Sequence, residues 1–326
     1  MEPRYPSREI RTVSFDPNTA AAYNSFFGLP EQPDAAVQII PVPFEGTVSY
    51  GGGTAKAPDA IRTASQQVDL LDQHFGDVWR AGLQEQGAIE AVQADPDTAA
   101  EAIRLELRRR VADCITTGRI PAILGGEHSV SLGAIEAAAD SVPSLGMIQI
   151  DAHMDLRDSF EGHRYSHASV MRNVIERCPT VTRLVQIGVR DFCEEEIEFA
   201  RGSDDRVSAV FDADLWDIAD SGQSVRAFFD EVMAGMPEHL YISFDVDGLD
   251  PSLCPNTGTP VPGGLTFNQA CALLRAIAES GRRVVGFDLV EAAPGEGGEW
   301  DANVGARLLY KLAGCALASQ GWLTTA

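Results

Sequence analysis

The stretch "IQIDAHMD", residues 148–155, joins an apolar, β-prone run to Asp151, His153 and Asp155 at alternating positions. Charged side chains are rarely buried unless they are paired or hold a metal. Residues two apart on a strand share a face. The pattern therefore predicts that all three project one way from the end of a buried strand. The apolar part belongs to "LGMIQI" (145–150), and five other runs resemble it: "AVQIIPVPF" (36–44), "IPAILGG" (120–126), "RLVQIGV" (183–189), "HLYISFDV" (239–246) and "RVVGFDLV" (283–290). Most are apolar throughout, as expected of parallel strands covered on both faces.

Longer amphipathic segments lie between these runs. Residues 97–118 form the clearest helix pattern, with Asp97 or Thr98 near its start and Gly118 just past its end. Residues 266–281 and 302–319 repeat the pattern. The βαβα order predicts an α/β fold with a mostly parallel sheet. No internal repeat or linker-like change of composition interrupts it. The expected organisation is a single catalytic domain over 1–326, with 1–35 as an N-terminal extension packing on or near it. In such sheets ligands bind beyond the carboxyl ends of the strands.

The chain has 326 residues, 44% of them hydrophobic, enough for a large core. Its net charge of −23 argues against nucleic acid or an anionic membrane as a partner. Lys56 and Lys311 are the only lysines, so arginine carries most of the positive charge. Cysteines 114, 178, 193, 254, 271 and 315 are scattered without a C-x-x-C, which suits free thiols rather than a disulfide framework. "MEPRYPSREIRTVSFDP" lacks the apolar stretch of a signal peptide, and no run approaches the roughly 18 apolar residues of a membrane span. A cytoplasmic location is the expectation.

Three strand ends carry residues of metal-ligand type. They are "LGGEHS" with Glu127 and His128, "DAHMD", and "SFDVDGLDP" with Asp245, Asp247 and Asp250. If the strands are neighbours, these groups converge, and without cations so many carboxylates would repel one another or stay protonated. The four charges of Asp151, Asp155, Asp245 and Asp247 balance two divalent ions. With His128 and His153 they make an oxygen-rich set with no thiolate, which favours Mn²⁺ and leaves Ni, Co, Zn and Fe open. Two such ions about 3.5–4 Å apart can share a water and lower its pKa toward neutrality.

Taken together, these motifs resemble the ureohydrolase family of arginases, agmatinases and related guanidino-compound hydrolases. "IIPVPFEGTVSYGGGTAKAPDAIRTAS" (39–65), "LGGEHS", "DAHMDLRDSFEGHRYSHAS", "LVQIGVRD", "SFDVDGLDPSLCPNTGTPVPGGL" and "VVGFDLVEAAP" follow in that family's order, with agmatinases the most similar. The resemblance implies a three-layer α/β/α sandwich around a parallel sheet of about eight strands. It implies two Mn²⁺ per subunit, held by His128, Asp151, His153, Asp155, Asp245 and Asp247, with Asp151 and Asp245 bridging. It places the guanidinium-facing glutamate at Glu291 and the proton-shuttling histidine at His167, with His163 as the rival. Asp247 would also help move the intermediate's proton. A small guanidino substrate and a homo-oligomer, trimer or hexamer, are further implications.

The expected reaction releases urea and an amine, with agmatine giving putrescine as the favoured case. The segment after "DAHMD" lacks the Asn- and Ser-containing residues by which classical arginases hold an α-carboxylate. Cys193 stands where those enzymes usually place an Asp for the α-amino group. An acidic mouth using Glu161 or Glu196 would suit a cationic tail instead. Arginine, guanidino acids and guanidine remain alternative substrates, and an inactive regulatory homologue is the non-enzyme alternative. A one-zinc deacetylase of related fold would not need His128, Asp155 and Asp247. "GGG" (51–53) lacks the remainder of a phosphate-binding loop and is expected to form a flexible loop at the mouth. Met154 is expected to point away from the metals into packing.

Overall fold

The computed structural model describes residues 15–19, 21, 23–295 and 299–323. Among these residues eight strands form one sheet: β1 (Val37–Val42), β2 (Leu83–Glu85), β3 (Ile120–Gly125), β4 (Leu145–Ile150), β5 (Val181–Val189), β6 (Val207–Phe211), β7 (His239–Asp245) and β8 (Arg283–Val290). Their order across the sheet is β2-β1-β3-β8-β7-β4-β5-β6, and every pairing is parallel. The six apolar runs are β1, β3, β4, β5, β7 and β8. The two unforeseen strands are the edges. β2 has three residues, and β6 buries only Val207, so neither carries the continuous apolar signal of a covered strand.

Helices cover both faces, giving a three-layer α/β/α architecture. One face packs α2 (Pro96–Thr116), α3 (Leu132–Asp140) and α4 (Val170–Arg177), with α5 (Glu194–Arg201) alongside. The other packs α1 (Ala57–Ser65), α6 (Asp212–Asp220), α7 (Val225–Ala234), α8 (Phe267–Glu279) and α9 (Trp300–Ser319). Strand alternation divides the core between them. In β4, Ile148 and Ile150 face the α9 side while Leu145 and Met147 face the α2 side. Met154 joins the α2-side core, fully buried.

The helix expected from 97 starts earlier. Asp95 is its N-cap, its carboxylate accepting from the Thr98 N–H, and Pro96 sits in the first turn, where a missing donor costs nothing. Most of the proposed extension 1–35 lies outside the described residues. Phe26, Phe27, Leu29 and Ala35 are buried, and the Phe27 ring lies 4.9 Å from that of Tyr310 on α9. No described helix is long and apolar enough to cross a membrane.

Two glycines let the site-bearing loops approach closely. A Cβ on Gly248 would meet the backbone N of Asp151 at 2.6 Å, and one on Gly126 would meet the carbonyl oxygen of Phe44 at 1.8 Å. Any other residue would force apart the loops that follow β7 and β4, or those that follow β3 and β1.

Candidate metal centre and active site

The ligand-type residues converge at the carboxyl ends of β3, β4 and β7, although not by strand alternation. β4 ends at Ile150, so Asp151, His153 and Asp155 lie in the following loop, and Asp155 has a left-handed backbone (φ 54°). Asp247 lies in a 3-10 turn just past β7. Each of two aspartates folds the turn behind it. Asp151 Oδ1 accepts from the His153 N–H at 2.6 Å, and Asp245 Oδ1 accepts from the Asp247 N–H at 2.8 Å. The loops are joined by the Ala152 N–H, which donates to Asp247 Oδ1. Arg190, in "IGVRD", clamps them further by donating to the carbonyls of Gly188, Asp247, Leu249 and Val261.

His128 Nδ1 lies 3.1 Å from Asp151 Oδ2, 2.9 Å from Asp155 Oδ2 and 3.4 Å from Asp245 Oδ2. His153 Nδ1 lies 3.5 Å from Asp151 Oδ1 and 3.0 Å from Asp247 Oδ2. Asp151 thus turns one oxygen to each cluster, and these are two groups that could each hold an ion. Asp245 stands with the first cluster, its Oδ1 occupied by the Asp247 N–H.

The donor set fits a pair of divalent cations. His128 Nδ1 is buried and, among the described residues, has no hydrogen-bond partner. Its Nε2 meets Ser243 Oγ at 2.9 Å, and that hydroxyl donates to Asp288 Oδ1 at 2.9 Å. This chain of bonds puts a proton on Nε2 and turns Nδ1 toward three carboxylate oxygens, which outweigh burial and raise the imidazole well above its usual pKa. Lone pairs facing lone pairs repel, and a cation between them reverses the sign. Ligand atoms sharing an ion at about 2.1 Å lie about 3.0–3.4 Å from one another, which is the spacing seen around His128.

Electrostatics point the same way. Burial, with the neighbouring charge of Asp151, pushes Asp155 up to about 7. Burial and the charges of Asp247 and Asp151 raise Asp245 well above the usual carboxylate range. Burial works against a charged His153, but Asp151 and Asp247 outweigh it and carry that imidazole up to about 12. The cluster therefore takes up positive charge by whatever means is offered.

Polar residues inside otherwise apolar strands support the ligand-type residues from below. Gln186 on β5 donates to Gln149 on β4, and Gln149 donates to Asp151 Oδ2 at 2.7 Å. With Ser243 and Asp288 they form a fully buried polar layer under the site. Sequence reasoning passed over all four. The signal was present in each case, a polar residue within a buried run.

Above the clusters opens a cleft lined by Ser49, His128, His153, Asp155, Arg157, Phe160, His167, Ala168, Asp191, Glu196, Asp245, Asp247, Thr259 and Glu291. Glu291 follows β8 with a left-handed backbone (φ 63°). Its Oε1 accepts from the His128 N–H at 2.7 Å, and burial followed by the charge of Glu127 raises its pKa well above the usual range. His167 meets Thr47 Oγ1 through Nδ1 at 3.2 Å and Ser49 Oγ through Nε2 at 3.4 Å, with the Phe160 ring edge-on. Burial, then the positive charges of His153 and His128, lower its pKa to about 4.

Other expected contacts are placed differently. His163 and Glu161 are not among the residues lining the cleft. The backbones of Phe160 and His163 bond to each other in a tight turn that sends Phe160 inward, and His163 Nδ1 lies 3.7 Å from Asp97. Glu161 is exposed in that turn. Glu196 touches the cleft but is spent on the backbone, accepting from the N–H groups of Leu156 and Cys193 as the N-terminal box of α5. The Gly51–Gly53 segment is tied down. Glu45 accepts from the N–H groups of Gly53 and Ala55, and the Gly51 N–H donates to the carbonyl of Gly258. Asp191, which the sequence reading did not single out, stands at the mouth with its side chain about two-thirds exposed.

A family model described as the arginase family matches residues 35–315. N(1)-aminopropylagmatine ureohydrolase of Thermococcus kodakarensis is 34% identical over 286 residues, covering 87% of this chain and 92% of that protein. Agmatinase of Pyrococcus horikoshii is 31% identical, covering 86% and 92%. Among solved structures, agmatine ureohydrolase of Thermoplasma volcanium is similar with a TM-score of 0.77 at 28% identity, covering 91% of this chain and 95% of that one.

Proposed function

The chain belongs to the arginase family and is a metal-dependent, agmatinase-like ureohydrolase, and from this premise we propose that its substrate is a guanidino compound whose tail carries a second positive charge. The observation that carries this reading is the charge balance of the cleft. Asp151, Asp155, Asp245 and Asp247 are matched by two divalent cations. Glu196 has Arg157 beside it at 4.0 Å, and that guanidinium also lies over the Phe160 ring. Among the described residues that line the cleft, two carboxylates remain. Glu291 lies deep against the clusters, where a guanidinium enters. Asp191 lies at the mouth, its charged neighbour the His153 ring at 4.0 Å. Agmatine and its N(1)-aminopropyl extension present one cation to each, whereas a guanidino acid presents a carboxylate to Asp191.

In this reading Glu291 accepts hydrogen bonds from the planar guanidinium and orients its carbon. His128, Asp151, His153, Asp155, Asp245 and Asp247 would hold two cations, Mn²⁺ in preference, which would supply Lewis acidity and lower the pKa of a water toward neutrality. Asp247, held by the Thr259 hydroxyl at 3.2 Å, receives the proton as the carbon becomes tetrahedral. His167, neutral at rest, takes up that proton at Nε2 and passes it to the departing amine, so that the proton released by the water leaves on the amine.

A urea-release screen with Mn²⁺ tests the proposal. It compares agmatine, N(1)-aminopropylagmatine, arginine, 4-guanidinobutyrate, 3-guanidinopropionate and guanidine. The expected order places the two cationic-tail substrates first in kcat/KM. Asp191→Asn should raise KM for them about tenfold and leave guanidine turnover alone. A guanidino acid turned over better than agmatine would overturn the assignment.

A further inference from the structure

Thr47 and Glu127 stand behind His167 and do not line the cleft. Glu127 precedes a metal-cluster histidine, yet its carboxylate points away from the clusters. It accepts from the Thr47 N–H at 2.7 Å, from the Thr47 hydroxyl at 2.7 Å and from the Ser129 hydroxyl at 2.6 Å. Thr47 is buried and Glu127 is fully so. Thr47 Oγ1 in turn accepts from the His167 backbone N–H at 3.1 Å and lies 3.2 Å from His167 Nδ1.

A threonine hydroxyl has one proton and two lone pairs. Here the proton goes to Glu127, and one lone pair receives the His167 backbone N–H. The second lone pair faces His167 Nδ1, and it can be satisfied only if Nδ1 carries a hydrogen. The opposite tautomer would set the Nδ1 lone pair against a lone pair of Thr47 Oγ1 at a half-buried position, leaving Nδ1 without a donor. We infer that Thr47, held by Glu127, is a positioning residue that fixes His167 as the Nδ1–H tautomer and keeps its Nε2 lone pair toward the cleft and Ser49. The geometry binds the histidine twice, by backbone and by ring, so the same threonine also sets the ring's direction. The inference rests on the proposed role of His167 for its catalytic meaning; the tautomer itself does not depend on that role.

The test combines a spectroscopic and a kinetic reading. Protein labelled with ¹⁵N-histidine and loaded with diamagnetic Zn²⁺ is examined at pH 8 by solid-state ¹⁵N NMR, with His167→Asn used to assign the ring among the six histidines. The wild-type His167 should show a protonated Nδ1 and a bare Nε2. Thr47→Val, which keeps the shape and removes the hydroxyl, should give a mixture of tautomers. With Mn²⁺ and agmatine its kcat should fall at least about tenfold, with KM changed less than about threefold. Thr47→Ser should restore both. A wild-type His167 protonated on Nε2, or a Thr47→Val protein whose tautomer and kcat match wild type, would overturn the inference. If no guanidino compound releases urea, the functional proposal fails while the ¹⁵N spectrum still decides this one.

Discussion

Replacing Ser243 by alanine removes one hydroxyl from a place where nothing can substitute for it. Ser243, His128 and Asp288 are each no more than 1% exposed. The hydroxyl accepts from His128 Nε2 and donates to Asp288 Oδ1, both at 2.9 Å. Asp288 keeps the Phe244 N–H at 3.2 Å, whereas His128 loses its Nε2 partner altogether. A buried donor left alone costs about 1–3 kcal/mol. That cost is avoided if the proton moves to Nδ1, and Nδ1 is the atom that faces Asp151, Asp155 and Asp245. The variant therefore sets the imidazole against the cation. The expected loss is about 10–100-fold in metal affinity, or about 1.4–2.7 kcal/mol. Chelator competition at pH 7.5 measures the affinity, and thermal melts in EDTA show whether the metal-free fold survives. At saturating Mn²⁺, kcat should return to within a few-fold of wild type, because no group touching substrate has changed. A Ser243→Ala protein that keeps its fold and binds both ions within twofold of wild-type affinity would refute the argument.

Other perturbations follow from the same geometry. His153 is raised from 6.5 to about 12 and Asp155 from 3.8 to about 7. The metal-free folded chain thus holds protons that the unfolded chain has released, and its stability falls as pH rises from about 4 through 9; the EDTA-treated protein should melt lower at pH 9 than at pH 6, and a flat or rising profile would contradict this. Mn²⁺ should abolish that dependence, since it replaces the protons. Gly248→Ala sets a Cβ 2.6 Å from the Asp151 nitrogen, so it should cost about 1–3 kcal/mol and at least half the bound metal, read by melting and metal analysis. Of the six cysteines only Cys193 is not buried, and burial pushes Cys178 up to about 12. A thiol reagent at pH 8 should therefore label one cysteine in the native protein and six in denaturant. With a net charge of −23, the fold should gain roughly 5 °C in melting temperature between 0.05 and 1 M KCl, as screening shortens to about 3 Å; an unchanged melt would mean that the acidic charge is compensated locally.

The central strands were legible because a parallel strand covered on both faces must be apolar along its whole length. β4 and β7 also announced themselves by leading into ligand-type residues. β2 and β6 were not legible, because an edge strand needs no such run. The six ligand-type residues were legible as a set, since only a cation makes so many buried acids tolerable. The supporting layer was not, because one glutamine in "IQI" or one serine in "ISF" reads as noise until the fold stacks it under a ligand. The mouth was least legible. Glu196 looked available in a line of residues, but its two oxygens are committed to the start of α5. Asp191 looked ordinary and stands at the opening, two-thirds exposed.

The spacing that drew attention to "DAHMD" turns out to have a different physical basis from the one that made it noticeable. Strand alternation would place Asp151, His153 and Asp155 on one side, but the strand stops before any of them. The interval of two is instead the reach of an aspartate that bonds the N–H two residues ahead. The same turn recurs at Asp245 and Asp247. In both turns the first aspartate spends Oδ1 on folding the loop, and this directs Oδ2 at His128. The short side chain is therefore essential twice over. Glutamate at either position carries the same charge, yet its extra methylene would carry the carboxylate past the N–H it must accept from. The local turn thus determines both the position of the second ligand-type residue and the aim of the first, and Gly248 lets the two turns lie side by side.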